Sequence, residues 1–388
     1  MAIWLRLIER FNRIKFVKKG WFIIPMKKSF IVVVFTVFCC MFLGTTCYAG
    51  TELYLTTDNC PEAYIEYAEE HALDFVSSME EVEITDYKNI SLGEPFNFGN
   101  QDADIYYFPV LDNGKMIYLF RVYPDGDSYS GAMSIFLVEE LNMLASKTSK
   151  TQPLTLVMDN YDIVAYIGTE EYTLFSYSPD SASESKERSI LMYEWSHSSS
   201  RNVVNILEES DLDLQQCAAT LTTRAGSKYL ALTIKGTQGN SSWCAAYVTD
   251  IILRYVGAVP SSHSHLTITD HFGLTLNDAL SRTQVRTYAN SKGVYPYYVT
   301  VNSVTRDKLV EEIDKGCPVY ISMLDANSST DVGHAVALRG YHLLAETYSI
   351  WNPWYNYYES YTMGGSYVPA TDSSINYQMR GYMISWEY

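Results

Sequence analysis

Positive charge is scarce in this chain: 28 Lys and Arg stand against 45 Asp and Glu, for a net charge of −17 over 388 residues. A surface of that sign repels nucleic acid and anionic membranes, which excludes partners of both kinds and speaks to solubility. Cysteine is scarce as well. Of the seven, Cys39, Cys40 and Cys47 fall within the first fifty residues, and Cys60, Cys217, Cys244 and Cys317 are too widely spaced for a disulfide framework. The apolar run Phe30–Leu43, broken only by Thr36, is shorter than the ~20 residues that cross a bilayer comfortably. Internal repeats are absent, and so is the thiolate and carboxylate spacing of a zinc site.

What is present begins with that apolar run. Residues 1–49 carry eight Lys and Arg against one Glu, and Met26-Lys-Lys28 precedes the run as a basic n-region. Cys47-Tyr-Ala49 supplies a small-x-small cleavage site, so 1–49 is expected to be a secretory signal with Met26 a candidate true start. An uncleaved membrane anchor is the alternative. A lipoprotein through Cys47 is disfavoured because Gly44 stands where a lipobox wants Leu. Removal of 1–49 leaves 20 basic and 44 acidic residues. The expected location is extracellular, bacterial in type, with no stable membrane association after signal cleavage.

With 47% hydrophobic and 19% charged residues the remainder is globular, with length for two domains. From 50 to 224 the pattern predicts one α+β unit. Pro61 to Met79 has helical apolar spacing. Strands are predicted at Ile105–Leu111 and Lys115–Tyr123, around the turn Asp112-Asn-Gly114 and before the turn Pro124-Asp-Gly126. Three more follow at Leu154–Met158, Ile163–Ile167 and Tyr172–Tyr177, giving an antiparallel meander beside one helix. Ser178–Ser200, rich in Ser, Glu and Lys, reads as a linker that extends, with some helix over Val203–Leu214, up to Tyr229.

The second domain, 225–388, opens with an amphipathic helix over Trp243–Tyr255, stopped at Gly257, with Ser241 or Ser242 as N-cap. A helix over Arg306–Lys315 follows the cap Thr305. Strands are expected at Val319–Met323, Ala335–Tyr341 and Tyr348–Trp351. Helices first and antiparallel strands after is an α+β signature.

The segment "QGNSSWCAAY" places Cys244 in a first helical turn, where unpaired backbone N–H groups and the positive end of the dipole favour thiolate over thiol. An inert buried cysteine at a helix start is the competing reading, and the local sequence leaves both open. A nucleophile needs a base, and His334 begins the apolar strand "GHAVALRGY". Asn352, in "IWNPW", stands where Pro353 takes the chain out of a strand. Antiparallel neighbours would bring the two side by side, with the amide carbonyl holding one imidazole N–H. Trp351 and Trp354 are placed to shield that bond.

"TQGNSSWCAAY", "GHAVALRGY" and "WNPW", in this order, resemble the staphopain family of secreted papain-like cysteine proteases, over about Leu230–Tyr388. The resemblance implies a papain-like fold and peptide-bond hydrolysis by Cys244 as nucleophile, His334 as general base and acid, and Asn352 as orienting residue. It implies that Gln238 contributes to the oxyanion hole, and that no metal or other cofactor is required. It further implies a zymogen in which 50–224 is a mainly antiparallel β, half-barrel-like propeptide that inhibits the enzyme. Protein or peptide substrates and a dedicated inhibitor are the remaining expected partners, and cleavage is expected between Ser200 and Lys228, near Arg224-Ala225. Ser241-Ser242, Ala246 and Val336 depart from residues common in the family, which bears on cleft shape and removes no catalytic group.

Three other readings stand beside this one: a cell-wall amidase, a transglutaminase-type acyl-transfer enzyme, and a catalytically silent secreted binding protein. A permanently attached N-terminal binding domain is the alternative to a propeptide. His263, His265 and His271 with Asp270 form a histidine cluster weighed as a metal site against a solvated loop; the loop is preferred.

Overall fold

The computed structural model describes residues 52–80, 84, 86–99, 104–159, 162–175, 201–210, 214, 226–325, 333–365, 367–369 and 376–388. The signal region, the Ser178–Ser200 linker and the Arg224-Ala225 boundary lie outside them.

The N-terminal half contains β1 (Tyr54–Thr57), α1 (Glu62–Ser78), β2 (Ile90–Leu92), β3 (Tyr106–Asp112), β4 (Lys115–Asp125) and β5 (Ser128–Ser134). It continues with α2 (Val138–Leu144), β6 (Leu154–Asp159), β7 (Asp162–Ile167), β8 (Glu170–Phe175) and β9 (Asn202–Asn205). After β10 (Ser227–Tyr229) come α3 (Cys244–Tyr255), α4 (His265–Phe272), α5 (Arg282–Ser291), β11 (Tyr297–Thr300) and α6 (Arg306–Asp314). The chain closes with β12 (Val319–Asp325), β13 (Gly333–His342), β14 (Thr347–Trp351), β15 (Tyr358–Thr362), β16 (Tyr367–Pro369) and β17 (Asn376–Ile384). This is a mixed α+β fold dominated by antiparallel pairing.

Local chemistry accounts for the elements that the sequence predicts. Asn113 (φ 52°) and Gly114 (φ 74°) make the two-residue turn that reverses β3 into β4. α1 buries Ala68, Ala72, Phe75 and Val76, spaced three or four apart, against β4 and β5. Thr305 caps α6 by accepting from the Lys308 N–H. β13 is buried along nearly its whole length, with the apolar stretch Ala335–Leu338 inside it.

The meander expected in the N-terminal half divides between two sheets. One runs β8-β7-β6-β1-β9, in which β1 and β6 pair in parallel. The other strands, β5-β4-β3-β2, continue a larger twelve-stranded sheet whose path is β11-β17-β12-β13-β14-β15-β5-β4-β3-β2. β5 and β15 therefore join the two halves edge to edge, pairing Ser360 with Met133 and Tyr361 with Ala132. The described residues from Glu52 to Tyr388 form one compact unit.

Three local expectations are corrected. Asn202–Asn205, expected near the start of a helix, is a strand against β1, because the edge of that sheet offers backbone partners that outweigh weak local helix preference. The turn after β4 falls at Gly126-Asp127, and Pro124 stays in the strand. α3 starts at Cys244 with Trp243 in the capping position and no side-chain cap; Ser241 bonds instead to the Gln238 carbonyl.

Candidate active site

α3 packs against β13, and this contact sets Cys244, the first residue of the helix, beside the first residues of the strand. The backbone N–H groups of Ala335, one residue after His334, and of Ala245 and Cys244 itself lie about the Cys244 sulfur and favour its thiolate. β13 and β14 are antiparallel neighbours, with Ala337 opposite Trp351, so the start of one lies near the end of the other. His334 and Asn352 meet there, Nε2 to Oδ1, at 2.9 Å.

The Asn352 oxygen also accepts the Trp354 N–H at 3.2 Å. Because a backbone N–H can only donate, the atom facing it is the amide oxygen, and the imidazole Nε2 must carry hydrogen. In a neutral ring Nδ1 then holds the lone pair. The Trp354 indole lies on the imidazole with centroids 4.0 Å apart and planes 17° apart. Tyr377, from β17, adds a second ring at 5.2 Å.

Gln238 is fixed to the same structure. Its N–H donates to the Pro353 carbonyl at 2.8 Å, and its side-chain Nε2 donates to the Ser241 carbonyl at 2.9 Å. Gly239, at φ 51°, turns the chain between these contacts. A side-chain amide carries two hydrogens, and Ser241 engages one of them. The structure thus brings Gln238, Cys244, His334 and Asn352 into one cluster.

Electrostatics depart from the sequence expectation of a lowered thiol pKa. Burial pushes Cys244 up to about 11, against the opposing pull of the Ala335, Ala245 and Cys244 N–H groups. Burial likewise pushes His334 down to about 4, outweighing the bond to Asn352. At neutral pH this chain holds an uncharged thiol and an uncharged imidazole, because desolvation penalises both charged forms more than a helix start and one amide can offset.

Sequence reasoning identified Trp354 but not Tyr377, whose strand is distant in sequence and carries no local signal. Trp351 plays a different part from the shielding expected of it. Buried in β14, it donates from Nε1 to the Tyr355 carbonyl and braces the loop that carries Asn352.

The histidine cluster does not sit in a solvated loop. His263 is buried, with Nδ1 2.6 Å from Asp250 Oδ1 and Nε2 2.8 Å from the Tyr288 hydroxyl. Asp250 also pairs with Arg254 at 2.9 Å, so the network fastens α3 to α5. Among the described residues no group of three or more His, Cys, Asp and Glu is arranged to hold a metal. Asp250→Ala is expected to lower the unfolding free energy by about 3–5 kcal/mol in a denaturant titration, since it leaves buried Arg254 and His263 without their carboxylate.

Comparison with known proteins points the same way. Residues 231–382 match the Peptidase_C39 like family. The extracellular cysteine protease of Staphylococcus epidermidis is 23% identical over 336 residues, covering 79% of this chain and 82% of that protein. Staphopain A of Staphylococcus aureus is 23% identical over 332 residues with the same two coverages. A 79% share exceeds what the segment from residue 225 onward contains, so the likeness extends into the N-terminal half.

Proposed function

Because the chain is a cysteine-type peptidase of the staphopain family, we propose that it is an exported endopeptidase precursor that cleaves proteins or peptides through Cys244, His334, Asn352 and Gln238. The carrying observation is the His334–Asn352 bond: it occupies Nε2, leaves the basic Nδ1 to exchange a proton with Cys244, and fixes the ring that does so.

In this reading Nδ1 takes the Cys244 proton as the sulfur attacks the peptide carbonyl carbon. The oxyanion is met by the Cys244 N–H and the side-chain amide of Gln238. The imidazolium then gives its proton to the departing amine, leaving a thioester. Water, deprotonated by Nδ1, attacks the thioester, and the acid product leaves as the thiol is restored. Gln238→Ala is expected to lower kcat by about 10²–10³-fold on a peptide substrate while KM changes little.

Residues 1–49 act as the export signal and 50–224 as the removable inhibitory segment, with a half-barrel-like arrangement of β2–β5. The uncharged thiol and imidazole of the intact chain fit a cleft held inactive. The continuous twelve-stranded sheet favours a second reading, in which the N-terminal half stays attached for good.

The test follows intact mass against time for the reduced chain near pH 6.5, beside Cys244→Ala and a sample treated with an epoxide thiol-protease inhibitor. Shortening of wild type alone, with one inhibitor on Cys244, supports both peptidase and precursor. Labelling without shortening favours activation by another enzyme or acyl transfer to a different substrate. No label, even after the N-terminal half is removed, would overturn the nucleophile assignment and favour a silent binding protein.

A further inference from the structure

The seam between β5 and β15 is built differently from the rest of the large sheet. Its backbone ladder is short, yet buried polar side chains cross it along its length. Arg121, from β4, reaches Glu359 of β15 at 3.2 Å, and the two side chains are 1% and 0% exposed. Tyr361 donates to the second Glu359 oxygen at 2.8 Å. The hydroxyls of Ser78 and Ser360 meet at 2.6 Å in the interior, and the Gly131 N–H donates to Thr362 Oγ1 at 2.8 Å. At one end Arg339 pairs with Glu80 at 2.8 Å. At the other, Phe136 and Phe175 pack on Tyr355 in the Asn352 loop, with centroids 5.2 and 6.0 Å away.

A buried carboxylate is tolerable only while its counter-ion stays. Glu359 belongs to one half of the chain and Arg121 to the other, so separating the halves breaks the ion pair and the Ser78–Ser360 and Gly131–Thr362 hydrogen bonds and exposes an unpaired strand edge. Every one of these contacts is made by residues before 211 or after 225, so none of them depends on the covalent connection between the halves.

We propose that the seam survives cleavage: once the connection is cut, residues 52–210 stay bound to residues 226–388 by strand addition at β15, with the Arg121–Glu359 pair as the contact that decides affinity. The β15 edge is thus a docking strand for one partner, the N-terminal half of this same chain. Release requires a further event, such as degradation of the bound segment. The inference rests on the reading of the N-terminal half as a removable segment.

The experiment uses the full chain with Cys244→Ala, so that no self-digestion intervenes, and a recognition site for an unrelated protease in place of residues 215–224. After complete cutting, size-exclusion chromatography and native mass spectrometry are expected to show one species holding both fragments, which persists on dilution. Elution of two separate, folded fragments would overturn the proposal. Glu359→Gln and Arg121→Met are each expected to weaken the cut complex by roughly 10²–10³-fold. The double variant Arg121→Met with Glu359→Leu, which buries no charge, is expected to hold better than either single variant, and it tests the pair even if a single variant does not fold. A double variant no tighter than the singles removes the pair as the determinant. Because Cys244 is absent throughout, the outcome is independent of whether Cys244 is a nucleophile.

Discussion

Cys244→Ala and His334→Ala are each expected to lower kcat for peptide hydrolysis by about four to six orders of magnitude, and the double variant is expected to be no worse than either. The reason is chemical. Without the sulfur there is no thioester, and without the imidazole neither the thiol proton nor the leaving amine has an exchange partner. KM should move little, because neither side chain supplies most of the substrate contact. Asn352→Ala is expected to cost less, since the Trp354 indole still stacks on the ring at 4.0 Å, but it frees the imidazole to take the wrong tautomer. Kinetics on a quenched-fluorescent peptide, with the N-terminal half removed, decide the matter. Activity within a few-fold of wild type for either single variant would sink the assignment.

The second expectation concerns protons. With Cys244 pushed up to about 11, its thiolate fraction at pH 7 is about 10⁻⁴, so alkylation by iodoacetamide in the intact chain should run roughly 10²–10³-fold slower than for an ordinary cysteine of pKa ~8.5. Rapid labelling of the intact chain at pH 7 would contradict this. Stability follows the same groups. His334 has its folded pKa depressed from about 6.5 to about 4, so its contribution is fully present above pH 6.5 and is lost as pH falls towards 4. The loss amounts to about 3 kcal/mol. Cys244 has its pKa raised, so its contribution is present below pH 9 and is lost as pH rises towards 11. Urea midpoints measured across pH should therefore form a plateau between these limits, and His334→Leu should flatten the acid side.

Much of the site is legible in the sequence alone. α3 and the paired strands β13 and β14 announce themselves because central buried strands are near-continuous apolar runs and the helix is amphipathic. The interval from His334 to Asn352 suits two antiparallel neighbours, and they are hydrogen-bonded. The thiol's proton affinity is not legible there, because it depends on how completely distant segments exclude water. The pattern H-x-H suggests a shared ligand, yet His263 precedes a helix that His265 begins, and the former turns inward to Asp250. Least legible is the β5–β15 seam. β5 reads "SYSGAMS", small and polar, and Glu359 sits in "YYESYT", which looks solvent-facing. Its counter-ion lies 238 residues away in sequence. No local propensity encodes a pairing of that range; only the closed sheet does.

Tyr377 contributes one of the rings packed on His334, and it belongs to β17, the last strand of the large sheet. β17 lies beside β12, which in turn lies beside β13. During synthesis, Cys244, His334 and Asn352 all leave the ribosome before that strand does. A nascent chain therefore carries Cys244, His334 and Asn352 while still lacking one wall of their enclosure, and the finished arrangement waits on the emergence of Asn376–Ile384. Strand order alone thus sets when the enclosure of His334 is completed: its last ring arrives with β17.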